Sequence, residues 1–136
     1  KSNFVNMEKV DIKSREDLHL LVYTFYEKIK IESTLGPIFI RAIKDWPTHI
    51  DHITDFWQSQ LLFTKRYRGN PAEVHVRVDK NENHSISPEH FGIWMNLWFA
   101  TIDELFEGEI SERAKRNARK MNTHLFLKIW EARKEA

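Results

Sequence analysis

Apolar residues recur at helical spacing along most of the chain, which predicts an all-α structure. The first predicted helix begins at Ser14, three residues before Asp17 in a capping-box-like pattern. Its apolar face carries Leu18, Leu21, Val22, Phe25 and Ile29. A short segment follows over residues 35–43, in which Gly36-Pro37 is expected to change the direction of the chain.

Three further helices are predicted from their start signals and spacing. Asp45 can cap a helix with Pro47 in its first turn, and Ser87-Pro88-Glu89 repeats that signal. The helix after Asp45 is expected to bury Trp46, His49, Ile50, Ile53, Phe56, Trp57 and Leu61. The helix after Ser87 carries Phe91, Trp94, Trp98, Ile102 and Leu105. The last helix, after Gly108, carries Ala114, Ala118, Met121, Leu125 and Ile129.

Two polar linkers are predicted between these helices. Residues 65–71 form a turn-rich stretch closed by Gly69-Asn70-Pro71, and residues 79–85 are expected to be a mobile linker. Between them, Val74-His75-Val76-Arg77-Val78 alternates as a strand would. Because no other segment offers a partner strand, and an isolated strand leaves its backbone groups unpaired, we do not assign one.

Composition excludes several classes of function. The 136 residues include 5 Trp, 9 Phe and 3 Tyr but only 4 Gly and 4 Pro, which indicates one core built from large side chains. A net charge of +1 gives no cationic surplus for nucleic acid, and no apolar run approaches the roughly 20 residues of a membrane span. The absence of Cys excludes disulfides, thiolate metal sites and covalently attached haem. We expect a cytoplasmic monomer.

The 7 histidines carry the candidate chemistry, because imidazole is a common metal ligand and titrates near neutral pH. His19 and His124 are predicted to lie at the surface. His49 shares its helix face with apolar side chains and therefore points toward the core, where a lone histidine is most often hydrogen-bonded packing. His49 and His52 form an i, i+3 pair, but two ligands alone make a weak metal site.

Other kinds of site lack their residues. A di-iron bundle needs two Glu-x-x-His motifs and two further glutamates, whereas the chain offers only Glu16-x-x-His19. There is no Gly-x-Ser-x-Gly nucleophile motif and no Gly-rich phosphate loop. A flat apolar cofactor such as haem, held through one axial imidazole, would suit the aromatic helices and His75. From periodicity alone, a helical partner-binding module is the better hypothesis.

Several short segments, taken in order, resemble the group III truncated haemoglobins, which are short globins with a two-over-two helical sandwich. The similarity runs from about Leu18 to Ile129. The matching segments are 25–29 with 35–39, Asp45-Trp46-Pro47-x-His49 with 56–57 and 61–62, Tyr67-x-Gly69-Asn70-Pro71-x-x-x-His75, His90-Phe91-x-x-Trp94, and 106–109 with 114–115. The resemblance implies a lead-in over 1–13, a single truncated globin domain over 14–136, and non-covalent haem b.

The resemblance also implies a role for individual residues. His75 would bind the haem iron, and its other ring nitrogen would be oriented by an acceptor that the sequence does not identify. Tyr26 and Trp94 would donate an O–H and an N–H to a bound diatomic ligand. His49 would donate to that ligand, act as a gate or bind the iron itself. Without the resemblance, each of these residues is better explained by packing.

Around these residues, the expected walls of the haem pocket are Phe25, Phe39, Ile53, Phe56 and Trp57. The candidate contacts to the haem propionates are His52, Arg66, Tyr67 and Arg68. The segment from His75 to His90 is longer than the family usually has, which makes His84 a competing iron ligand. We retain His75, because it keeps its spacing from Gly69 and Pro71 and because His84 has no apolar neighbour in sequence before Ile86.

The implied function is binding of O2, CO, NO or other small ligands. Polar distal donors slow ligand release, which suits sensing or redox chemistry better than delivery. The redox candidates are nitric oxide dioxygenation and peroxide reduction, with an unidentified reductase. The alternative is a haem-free helical interaction module with a globin-like fold.

Overall fold

Six helices form the regular structure of residues 8–63 and 67–135, the part of the chain that this computed structural model describes. They are α1 (Arg15–Ile31), α2 (Leu35–Ala42), α3 (Trp46–Leu61), α4 (Pro71–Asn81), α5 (Pro88–Leu105) and α6 (Glu109–Lys134). No strand occurs among these residues, which confirms the all-α prediction. None of these helices combines the length and hydropathy of a membrane span.

The helices begin where capping side chains stand. Ser14, Asp45 and Asn70 each accept a hydrogen bond from the backbone N–H three residues later, at 3.1, 3.2 and 3.1 Å. Each bond pairs one of the N–H groups that the first turn of a helix leaves without an internal partner. Pro47 and Pro71 lie in first turns, where a missing N–H costs nothing.

The Gly36-Pro37 segment differs from its prediction, because α2 runs straight through it. The change of direction comes earlier, where the carboxylate of Glu32 accepts from the N–H groups of Thr34 and Leu35 at 2.7 Å each. Pro37 then falls in the first turn of α2. Gly36 is required for a different reason, since a Cβ there would collide with the backbone at Lys30. It lets α2 lie directly against the end of α1.

The second predicted linker, over residues 79–85, also differs from its prediction. Residues 79–81 belong to α4, and Asp79 is only 2% exposed. The prediction failed because the charge of the buried Asp79 is compensated by a distant residue. Arg133 of α6 donates to both carboxylate oxygens, at 2.9 and 2.7 Å. The alternating residues 74–78 form the middle of α4, so the decision against a strand is confirmed.

The helices pack as two crossed pairs. α1 packs on α3, α5 packs on α6, and α1 crosses α5 to join the pairs into a two-over-two sandwich. Aromatic rings fill the crossing. Trp57 of α3 stacks on Trp98 of α5 at 4.7 Å, and Phe25 of α1 meets Trp98 edge-on at 5.1 Å. α4 packs mainly on α6 and makes no extensive contact with α3.

Residues 8–13 take part in this fold. Ile12 is 1% exposed, and the Asp11 carboxylate accepts from the N–H groups of Ile110 and Ser111, at 2.7 and 2.9 Å, at the start of α6. Burial alone would raise the pKa of Asp11, but hydrogen bonds from Ser111, Ile110 and Ile12 hold it below its usual value. A residue before the first helix therefore caps the last one.

This cap can be tested by replacing Asp11 with Ala. We expect the free energy of unfolding at pH 7 to fall by about 1–2 kcal/mol, because the substitution leaves helix N–H groups without their acceptor. Urea unfolding followed by circular dichroism measures the change. Glu8→Ala, at an exposed position of the same segment, is the matched control. Equal stability of the two variants would contradict the capping role.

Candidate functional site

His75 lies on α4, with its ring orientation fixed by the backbone. Its Nδ1 stands 2.6 Å from the carbonyl oxygen of Pro71, one turn earlier. Because a carbonyl only accepts, Nδ1 must carry the proton and Nε2 is left as the basic nitrogen. Burial lowers the pKa of His75, against the opposing effect of this hydrogen bond, so the ring is neutral at pH 7. Pro71 thus supplies the acceptor that the sequence did not identify.

The surroundings of His75 are apolar. The ring of Phe91, from α5, lies nearly parallel to the imidazole, with the centroids 6.4 Å apart. Phe91, Val76 and Val78 pack on a small buried cluster of Ile38, Ile86 and Ile129. The competing ligand His84 stands elsewhere. Its Nδ1 lies 3.3 Å from the Asp79 carboxylate, on a side chain that is 47% exposed.

Tyr26 and His49 meet where α1 packs on α3. Tyr26, on α1, is 4% exposed, and its ring centroid lies 5.1 Å from that of His49 on α3. The ring of Trp46 lies within 5.9 Å of both. Burial raises the pKa of Tyr26, so its hydroxyl stays protonated as a donor. No hydrogen bond of this hydroxyl occurs among the residues that the structure describes.

His49 carries an unpaired polar atom into the interior. Its Nε2 is buried and has no hydrogen-bond partner in the described part of the chain. Burial, with a smaller contribution from the charge of His52, lowers the pKa of His49 to about 4. The ring is therefore neutral at pH 7. Leaving such an atom unpaired costs about 1–3 kcal/mol, so a group that forms a hydrogen bond with Nε2 would be favoured at this position.

Trp94 completes this group of residues from α5. Its ring meets Phe25 edge-on at 5.0 Å, and Phe25 in turn contacts Tyr26 at 5.1 Å. The indole N–H of the neighbouring Trp98 is used, since it donates to the carbonyl of Ala114 at 3.3 Å. The indole N–H of Trp94 has no partner within residues 8–63 and 67–135. Tyr26, His49 and Trp94 therefore belong to one aromatic network.

The predicted wall residues lie at two depths. Phe39, Ile53 and Phe56 are half-buried and pack on the outside of the main core. Phe25 and Trp57 are each 1% exposed and lie behind them. Trp46, which the sequence placed only in a buried stripe, is half-buried beside Tyr26 and His49. The sequence did hold a signal for this position, because Trp46 lies on the same helix face as His49.

The predicted propionate contacts are only partly brought together. The rings of His52 and Tyr67 lie 4.8 Å apart, and Tyr67 also meets Phe56 at 5.1 Å. Gly69 lies against both His52 and Tyr67, so close that a Cβ there would collide with the Tyr67 ring. Arg68 is exposed, and Arg66 lies outside the described residues.

A cavity separates α3 from α4 near their connection. It has a volume of about 380 Å³. Phe56 of α3, Pro71 of α4 and Leu125 of α6 contribute apolar lining, and exposed Lys120 and His124 lie at its polar side. The exposure of His124, like that of His19, confirms its predicted surface position. Within the described residues, no cluster of three His, Asp or Glu side chains could hold a metal ion, so the His49–His52 pair gains no third ligand there.

Comparison with known proteins confirms the family resemblance. A group 3 truncated haemoglobin of Campylobacter jejuni is 28% identical over 120 residues, which cover 85% of this chain and 91% of that protein. A crystal structure of a group III truncated haemoglobin from Campylobacter jejuni matches with a TM-score of 0.77 at 28% identity, covering 87% of this chain and 92% of that one. No model of a known protein family matches. The chain has the truncated-haemoglobin fold, and the similarity supports a globin-like role.

The neutral state of His49 makes stability depend on pH. The unfolded chain gains a proton on this histidine near pH 6.5, whereas the folded chain gains it only near 4. The contribution of neutral His49 to the free energy of unfolding is therefore fully present above about pH 6.5, and it is lost as the pH falls toward 4. We expect the urea midpoint of the protein without added cofactor to fall more steeply over this range than that of His49→Leu. His19→Leu, at an exposed position, should behave like the wild type. Parallel curves for all three proteins would contradict the interpretation.

Proposed function

We propose that the protein is a haem-binding globin that takes O2 and other diatomic ligands at an iron ligated by His75. The observation that carries the proposal is the buried, unpaired Nε2 of His49, next to Tyr26. A protein core without a ligand would satisfy such an atom. When bound, haem supplies the iron centre at which the gas is held.

His75 is suited to the proximal position. Its neutral ring keeps Nε2 basic, and the hydrogen bond from Nδ1 to Pro71 fixes which nitrogen can ligate and in which direction. Hydrogen bonding of a ligating histidine through its other nitrogen also raises its basicity. Because the chain has no cysteine, the cofactor would be haem b, held by this bond and by apolar contact.

Three side chains are suited to the distal position. Tyr26 offers a protonated hydroxyl, Trp94 an indole N–H, and neutral His49 either a donor or an acceptor. Their neighbours are aromatic rings, and a hydrogen bond in such low-polarity surroundings is stronger than at the surface. These donors would hold a polar diatomic ligand and slow its release. We expect CO and NO to enter the same site.

The edges of the site would meet the rest of the macrocycle. Phe39, Ile53 and Phe56 are half-buried and would supply apolar contacts to it. His52 and Tyr67, which lie side by side, would bind a propionate, with Arg66 and Arg68 as further candidates. Slow ligand release favours nitric oxide dioxygenation or peroxide reduction over delivery, and either reaction needs electrons from a reductase.

The assignment of the iron ligand can be tested by comparing His75→Ala with His84→Ala. The wild type should purify with a Soret absorption band after haem-supplemented expression. His75→Ala should retain little haem, because it loses the proposed proximal bond from the chain to the iron. His84→Ala should keep the wild-type haem content, because His84 contacts Asp79 at the surface. The reverse result would move the ligand to His84, and a colourless wild type would favour the haem-free interaction module.

The donor role of Tyr26 can be tested with Tyr26→Phe, which removes only the hydroxyl. A hydrogen bond with ionic character is worth about 1.5–3 kcal/mol, so O2 should dissociate about 10- to 100-fold faster. Stopped-flow displacement of O2 by CO measures the rate. Tyr23→Phe, at an exposed position on the same helix, is the matched control. A rate equal to that of the control would remove Tyr26 from the donor set.

A further inference from the structure

α4 holds its place in the fold in an unusual way. It is the helix that carries His75, yet its only buried residue is a carboxylate, Asp79. α1, by comparison, buries six residues of which five are aliphatic or Phe. Apolar contacts of α4 come from half-buried side chains such as Val76 and Val78. Such contacts are not directional, so they resist sliding or rotation of the helix only weakly.

The Asp79 carboxylate makes the directional contacts that the apolar side chains of α4 do not provide. Arg133 of α6 donates to its two oxygens from Nε and Nη2, at 2.9 and 2.7 Å, and the N–H of Ile86 donates at 3.0 Å. Arg133 also donates to the carbonyl of Ile86. A bidentate Arg–carboxylate pair fixes both distance and plane. The contact from His84, at 3.3 Å, is the longest of the set, and the other hydrogen bonds of Asp79 do not involve His84.

The position of Asp79 along α4 determines which side chains its ion pair with Arg133 can orient. Asp79 follows His75 by four residues, so both side chains leave the same side of the helix. A side chain at the outer radius of a helix lies about 5–6 Å from the axis, so a rotation of about 10° moves it by about 1 Å. Fixing Asp79 against α6 therefore fixes the direction in which His75 presents Nε2.

We infer that Asp79 and Arg133 form a positioning pair, which sets the rotation of α4 and so the alignment of His75 with the haem iron. The inference rests on the proposed haem site. Buried ion pairs contribute little net stability, and apolar replacements of similar size are often tolerated. Positional control therefore predicts altered iron–histidine geometry in a protein that still folds.

The test is the double variant Asp79→Leu/Arg133→Met, which replaces the directional pair with apolar contacts. We expect its circular dichroism and haem content after reconstitution to match the wild type. The iron–histidine stretching band in the resonance Raman spectrum of the ferrous protein should shift or broaden. Haem transfer to an excess of apomyoglobin should be about 10- to 100-fold faster, the usual cost of losing a residue that orients a metal ligand.

The matched control is Lys28→Met/Glu104→Leu, which removes an ion pair of 2.7 Å between α1 and α5 without touching α4. A Raman band and a transfer rate equal to those of this control would overturn the inference. If the double variant fails to fold, Arg133→Lys keeps the charge but loses the bidentate geometry, and the same two measurements decide. A wild type that binds no haem would instead overturn the proposed function, and this inference with it.

Discussion

The structure depends on the aromatic crossing at Phe25. Its ring lies within 5.1 Å of Tyr26, Trp94 and Trp98, and each contact is edge-on. Edge-to-face contacts align the positive rim of one ring with the negative face of the next, so they fix angles as well as distances. The contacts that Phe25 makes within α1 and across to α5 therefore orient Tyr26 and Trp94, two of the three side chains proposed for the distal side. Core packing and site geometry cannot be separated here.

The two sides of the candidate site are built by different physical means. The proposed distal side is an extension of the core, and the side chains of Tyr26 and His49 are neutral there because burial penalises their charged forms. The proposed proximal side lies on α4, a short helix attached to α6 through a buried ion pair and half-buried valines. Both sides hold a neutral histidine, yet only His75 has a backbone partner. That difference suits His75 to the proposed role of a fixed iron ligand and His49 to the proposed contact with a small molecule.

The sequence predicted most of this fold because helical spacing and capping residues are local signals. Ser14, Asp45 and Pro47 mark helix starts that the structure reproduces. The errors came from residues whose roles depend on distant partners. Asp79 looked like part of a polar linker because Arg133 lies 54 positions away. Gly36 looked like a turn because its close approach to α1 is a tertiary contact.

The candidate site could be predicted only through the family resemblance. Spacing alone put His49 on a core-facing stripe and His75 between two helices, but no local signal joins His49 to Tyr26 across two helices. The hydrogen-bond acceptor for His75 could not be predicted from the sequence, because it is a backbone carbonyl, which every residue carries. The carbonyl of Pro71 nevertheless lies four residues before His75, which is the ordinary hydrogen-bond spacing of a helix. The same geometry could therefore be sought in other short helices that carry a candidate ligand histidine.

The cap that Asp11 places on α6 bears on where this domain starts. The resemblance to known globins begins near Leu18, and the helical pattern begins at Ser14. A fragment cut at either position would lose both Asp11 and the buried Ile12, and would leave the Ile110 and Ser111 amides at the start of α6 without their carboxylate. The packed domain therefore includes residues upstream of every signal that carries the family resemblance, and expression boundaries should be drawn before residue 11 to keep these contacts.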